Sequence, residues 1–171
     1  MDRLSRAFDV LLDRLMVLAC FLLLAMTLLI GADVFTRNTG FGGVAWSNEV
    51  SESILYLLTL LSAPWLLRQG QHIRVDILLR AVPARMGWYL EWAGDLIGFA
   101  CSIYFVWYGL KVLSASYLAG AVSIKTLVTP EWWLLALLPI AFLLVAIEFV
   151  FRMQRLSKSE RAPRTDAVSV A

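Results

Sequence analysis

LMVLACFLLLAMTLLIGA, residues Leu15–Ala32, decides the fold class, because its 18 residues carry no formal charge. Wound as an α-helix at about 1.5 Å per residue, the stretch is about 27 Å long. That nearly matches the roughly 30 Å hydrocarbon core of a bilayer. Asp33 and Arg37 follow at i,i+4 and are placed to pair at the far interface. Three further apolar runs repeat the pattern, giving spans at about 15–36, 46–67, 88–110 and 130–151. The chain therefore reads as an all-α integral membrane protein with four transmembrane helices. Its helices form either a tilted bundle or a scaffold associated with a partner.

Composition agrees. Hydrophobic residues make up 60% of the chain and charged residues 16%, with a mean hydropathy of +0.75. A soluble domain carries roughly 45–50% apolar and about 25% charged residues. A four-span membrane domain, residues 1–155, and a polar tail, residues 156–171, account for the 171 residues and leave no room for a separate catalytic domain. The tail includes Pro163, lacks packing periodicity and is expected to be disordered.

Charge placement supplies an orientation. Twelve of the fifteen Lys and Arg residues fall in the N-terminal tail, the middle loop and the C-terminal tail, leaving Arg37, Lys111 and Lys125 elsewhere. The positive-inside rule then places both termini in the cytoplasm, together with Arg68, Arg74, Arg80 and Arg85. The net charge of +2 thus belongs to membrane-flanking segments and suits anionic lipid headgroups. Nucleic-acid binding would need a basic face or a recognisable module, and none is present in the sequence. Nothing follows the first run as a convincing small-residue cleavage site, so that run is expected to be retained.

Local signals refine this outline. Leu4, Phe8, Leu11, Leu12 and Leu15 share a helical face, so residues 4–15 form either an interfacial helix or, preferred here, a continuous extension of the first span. Trp46 and Trp65 mark opposite ends of the second span, and Pro64 deforms its last turn or lies in an altered exit. A short helix from about Asp76 to Pro83 is expected after a turn at Gly70. Glu91 and Asp95 share a face and repel unless hydrated or paired. Lys111–Thr129 either hugs the membrane surface or extends the third helix. Pro130 is expected to open the fourth helix, followed by Glu131 at the positive end of its dipole. Glu148 and Arg152 form a possible i,i+4 pair near its end. Cys20 and Cys101 are expected to be small core residues rather than a disulfide or redox pair.

Two polar clusters stand out as candidate functional residues. Trp46, Glu49, Glu52 and Ser53 fall at i,i+3 and i,i+4 spacings on one face at the start of the second span. They suit a subunit contact, local anchoring of the helix end, or ion coupling, since a lipid-facing carboxylate is costly. Arg68, Gln69, Gln71, His72, Arg74 and Asp76 form the second, suited to protein or lipid contact. A lone His with an Asp lacks the nucleophile, metal cluster or cofactor module that would specify an enzyme. No cofactor is expected. Trp88 with Trp92 and Tyr104 with Tyr108 are also i,i+4 pairs, which favours anchoring and packing over an aromatic ligand pocket.

Trp46-x-x-Glu49 opening the second span, His72-Ile73-Arg74-Val75-Asp76 after it, and Gly120-x-x-Ser123 followed by Pro130 and Trp132 occur in this order among four spans. In these features the chain resembles the DctQ-like small membrane subunit of tripartite ATP-independent periplasmic (TRAP) transporters. The resemblance implies a bacterial inner-membrane scaffold without catalytic or metal residues. Its implied partners are a large multi-span permease subunit, a periplasmic solute-binding protein and membrane lipids. It further implies sodium-coupled uptake of an organic acid, with sodium handled by the large subunit. Trp46 and Glu49 are then the leading contact residues, with His72, Arg74 and Asp76 in the cytoplasmic loop and Glu52, Ser53, Arg68 and Ser123 in support. A self-associating small transporter and a non-transporting assembly protein are the alternatives.

Overall fold

The computed structural model describes residues 2–40, 42–69 and 84–158. Four long helices and one short hairpin follow in chain order: α1 (Asp2–Asn38), α2 (Ser47–Arg68), α3 (Ala84–Leu118), β1 (Val122–Ile124), β2 (Val128–Pro130) and α4 (Trp132–Lys158). Each helix is long and apolar enough to cross a membrane. The protein is thus all-α in its membrane architecture, with the hairpin as its one β element among the described residues.

The charged segment before the first apolar run belongs to α1, so the chain is helical from its second residue to Asn38. At 37 residues α1 is about 55 Å long, more than an upright crossing requires. Thr27, Thr36 and Thr39 donate their hydroxyls to carbonyls three or four residues earlier. This satisfies polar groups inside the helix. Pro64 lies within α2 and is buried.

Of the two alternatives for residues 111–129, extension of the third helix accounts for the first part of the segment. Residues 111–118 extend α3, which then stops at Gly120, where φ is +60°. Ala121 N–H donates to Ser116 O and Gly120 N–H to Tyr117 O, at 3.1 and 3.2 Å. This paired closure needs a left-handed residue, which glycine adopts without a Cβ clash. The rest of the segment folds into the antiparallel hairpin, with Val122, Ser123 and Ile124 opposite Pro130, Thr129 and Val128. Pro130 therefore ends a strand rather than opening a helix, a correction to the sequence reading. Its fixed φ and missing N–H are tolerated at a strand end, and the next residue, Glu131, continues the ladder by donating to Ala121 O at 3.1 Å. The first turn of α4 then closes from Leu135 N–H to Glu131 O. The proline inside α4 is Pro139.

The helices pack side by side in the order α1–α2–α4–α3. This is an open row rather than a four-cornered bundle. Within the most apolar window of each helix, the buried share is 17% for α2 and 28% for α4, against 6% for α1 and 11% for α3. These values mark α2 and α4 as the middle of the row. The core at their contact is Leu67, Val145 and Phe149, with Ala63 and Phe99 against it. Two glycines let α3 approach α4. Phe149 fills the space where a side chain on Gly98 would lie, and a Cβ at Gly109 would meet Leu138 Cδ2 at 2.8 Å. Among the described residues, Leu12 and Ala19 are the buried apolar positions of α1.

Cys20 and Cys101 are free, but both are exposed and so are not core residues. Hydropathy does not separate the two sides of a membrane helix. In an open row, much of the apolar surface faces outward.

Candidate functional site

Polar side chains gather at the two opposite ends of the row, where the helices leave their apolar stretches. At one end α1 passes to α2 and α3 to α4; at the other lie the start of α1, the end of α2, the start of α3 and the end of α4.

At the first end, Asp33 organises the α1–α2 connection. Its carboxylate is buried, accepts from Arg37 Nη2 at 2.5 Å as the i,i+4 spacing predicted, and accepts the Val44 N–H at 2.6 Å. Glu49, in the first turn of α2, accepts the backbone N–H groups of Thr126 and Leu127 at 2.6 and 2.8 Å. Lys125 donates to Glu52 at 2.7 Å. Three residues at the hairpin tip are therefore held by two carboxylates one turn apart on α2. Charged acceptors make the stronger hydrogen bonds to amides. The Glu52 carboxylate, first through its hydrogen bond and then through its charge, holds the Lys125 ammonium pKa above its ordinary value. Ser53 donates to Glu49 O at 2.9 Å, and Trp46, just before α2, is exposed. Ser123 faces a partly open cavity of about 750 Å³ between α2, the hairpin and the start of α4. Val50, Leu55, Leu134 and Leu135 give that cavity apolar walls, with Glu49, Glu52, Lys125 and Glu131 among its polar lining.

At the opposite end, ion pairs join all four helices. Arg68 on α2 bonds Asp9 on α1, and its Nη1 lies 4.0 Å from Glu148 on α4. Arg155 bonds the same Glu148, whose side chain is fully buried. Arg152 reaches Asp95 on α3 at 3.0 Å and donates to Leu67 O at the end of α2 at 2.8 Å. Three guanidiniums thus face three carboxylates across four helices. Buried charges are tolerated only when paired in this way. Trp65 Nε1 donates to Asp13, and Trp88 Nε1 to Leu156 O. Glu148 and Arg152, four residues apart, turn to different partners: Glu148 bonds Arg155, and Arg152 pairs with Asp95. Pairing also resolves the repulsion expected of Asp95 beside Glu91.

Trp46, Glu49, Glu52, Ser53 and Ser123 thus gather around the hairpin end, while Arg68 belongs to the opposite network. His72, Arg74 and Asp76, with the expected helix between residues 76 and 83, lie outside the described residues. Trp88 and Trp92 rings lie 6.1 Å apart, and Tyr104 stacks on Tyr108 at 6.0 Å, so both spacings produce ring contacts along α3. Sequence reasoning missed Asp9, Glu148 as a shared acceptor, Arg155 and the hairpin tip. The i,i+4 and i,i+7 spacing of Arg152 and Arg155 from Glu148 was a visible signal. The cross-helix partners were not.

Four apolar helices stitched at both ends define a multi-pass membrane protein whose polar groups serve mainly to hold its own helices. The family model for the DctQ component of tripartite ATP-independent periplasmic transporters matches residues 26–158. The chain belongs to that family, and is a small subunit of a transporter rather than an enzyme. It is also similar to the "Sialic acid TRAP transporter permease protein SiaT" of Haemophilus influenzae (strain 86-028NP), at 22% identity over 120 residues. That match covers 70% of this chain but 19% of the relative, so the chain spans about a fifth of its length.

Proposed function

We propose that this chain is the small scaffold subunit of a sodium-coupled organic-acid uptake transporter in a bacterial inner membrane. It supports a larger permease subunit, and a periplasmic solute-binding protein delivers the substrate. The observation that carries the reading is the family match over residues 26–158, joined to an open row whose two outer helices, α1 and α3, are mostly left exposed by the chain itself. A closed bundle needs little from outside, whereas an open row offers broad apolar flanks to lipid and to a second membrane protein. The similar relative is named for sialic acid, an acidic sugar, which is consistent with an organic-acid substrate.

In this reading the large subunit moves substrate and sodium, and the row widens the part of the complex fixed in the bilayer. Trp46 and Glu49 are contact residues at the periplasmic end, supported by Glu52, Ser53 and Ser123. His72, Arg74 and Asp76, with Arg68, serve at the cytoplasmic end. Positive-inside charge supports cytoplasmic termini, with the hairpin end toward the periplasm.

Co-expression with a large TRAP permease subunit from the same organism tests the division of labour. The two should purify together, and sodium-dependent uptake into liposomes should require both with the binding protein. A stable homodimer of this chain that transports alone would overturn the proposal. Single cysteines at Gly42 and Thr126 should react with an impermeant reagent from outside intact cells, and a cysteine at Ser157 should not. The reverse pattern would overturn the orientation.

A further inference from the structure

The hairpin is inside out. Opposite residues of an antiparallel pair share a face, and faces alternate along each strand. Ser123 and Thr129 pair with each other and both line the cavity. Val122, Ile124 and Val128 must then point the other way, and they are 50%, 81% and 66% exposed. An antiparallel sheet with one covered face usually turns its apolar side inward and its polar side to water. Here Ser123, half-buried, and Thr129, exposed at the open side, face the chain's own cavity, and the apolar β-branched residues face out. Leu118, at the end of α3 and four residues before Val122, is 84% exposed as well.

What covers this face follows from where the hairpin is held. Its root is clipped by the Glu131–Ala121 backbone bond, beside Tyr117 and Trp132, whose rings meet edge to face at 5.7 Å, and beside the exposed Trp133. Its tip is clipped by Glu49 and Glu52 within two turns of Trp46. Tyr and Trp at helix ends favour the level of lipid headgroups. Both ends of the hairpin are therefore tethered near that depth. A two-stranded ribbon also has two open edges, whose outward amide groups must find water, so it cannot sink into hydrocarbon. Headgroup depth satisfies both demands: the edges stay wet while the valines and isoleucine reach acyl chains. The face carries no charge, and the nearby Lys125 is already paired with Glu52. Three strand residues and one leucine also offer far less than the roughly 800 Å² per partner of a stable protein interface.

We propose that Val122, Ile124 and Val128, with Leu118, seat at the boundary between headgroups and acyl chains, making the hairpin a membrane-surface anchor for the ends of α2, α3 and α4. This does not rest on the transporter reading.

The test uses the full chain in phospholipid nanodiscs, with Cys20→Ser and Cys101→Ser and one spin label at a time at Ile124→Cys, Val128→Cys or Thr126→Cys. Labels at 124 and 128 should collide preferentially with oxygen, which concentrates among acyl chains. The label at 126 should collide preferentially with a water-soluble nickel chelate. The preference at 124 and 128 should be the same in zwitterionic and anionic lipid. Water-like collisions at both positions overturn the proposal. So does loss of their oxygen preference when the large membrane subunit or the soluble binding protein is added, which would assign the face to that protein.

Discussion

Glu148 is the side chain on which the largest single effect is expected. It is fully buried and is shared by arginines from two helices. Removing one partner of a buried ion pair leaves the other charges uncompensated and typically costs about 3–5 kcal/mol. Glu148→Ala should therefore lower the unfolding midpoint in detergent markedly. Arg37→Ala should shift it little, because that arginine is largely exposed and surface pairs contribute about 0–1 kcal/mol. Equal midpoints for the two variants would refute the ranking. Asp33→Ala should exceed Arg37→Ala, because Asp33 also holds the Val44 amide. At this scale the sequence was legible where partners lie one turn apart, as with Asp33 and Arg37. It was silent on Asp9 with Arg68, since a pair 59 positions apart leaves no local spacing to read.

Between elements, the two close approaches to α3 and the clip on the hairpin make separate predictions. Gly98→Leu should push α3 off α4, because Phe149 occupies the space a side chain needs. Phe149→Ala in the same chain should recover part of the lost thermal stability, and additive losses would argue against the contact. Glu49→Ala should leave the helices intact but speed hydrogen exchange at the Thr126 and Leu127 amides, which lose their acceptors. Unchanged exchange there would sink the clip. Since the folded Lys125 pKa lies above its ordinary value, the Lys125–Glu52 pair should persist up to about pH 10 and weaken only as pH rises through that raised value. The sequence showed Gly120, Ser123 and Pro130, but not the strand pairing. Three-residue strands are too short for alternation to declare them, and a proline before Glu131 and two tryptophans resembles a helix start.

For the whole molecule, the order α1–α2–α4–α3 sets a distance. Helix axes in contact lie about 8–10 Å apart, so spin labels at the middles of α1 and α3 should be separated by three such steps, on the order of 25–30 Å. A closed four-helix bundle would hold them within about two steps. Pulsed-dipolar distances at the shorter value would refute the open row. Four apolar runs determined by themselves that the chain is helical and crosses the membrane four times, because burying backbone amides in lipid leaves a lone segment no other regular form. Charge in alternate loops supplied the expected orientation by the same local logic. Only the tertiary structure decided that the helices stand in a row, which carboxylates hold which arginines, and that the hairpin turns its apolar face outward. Lipid is as apolar as a protein core, so hydropathy marks which residues leave water without saying what they meet there.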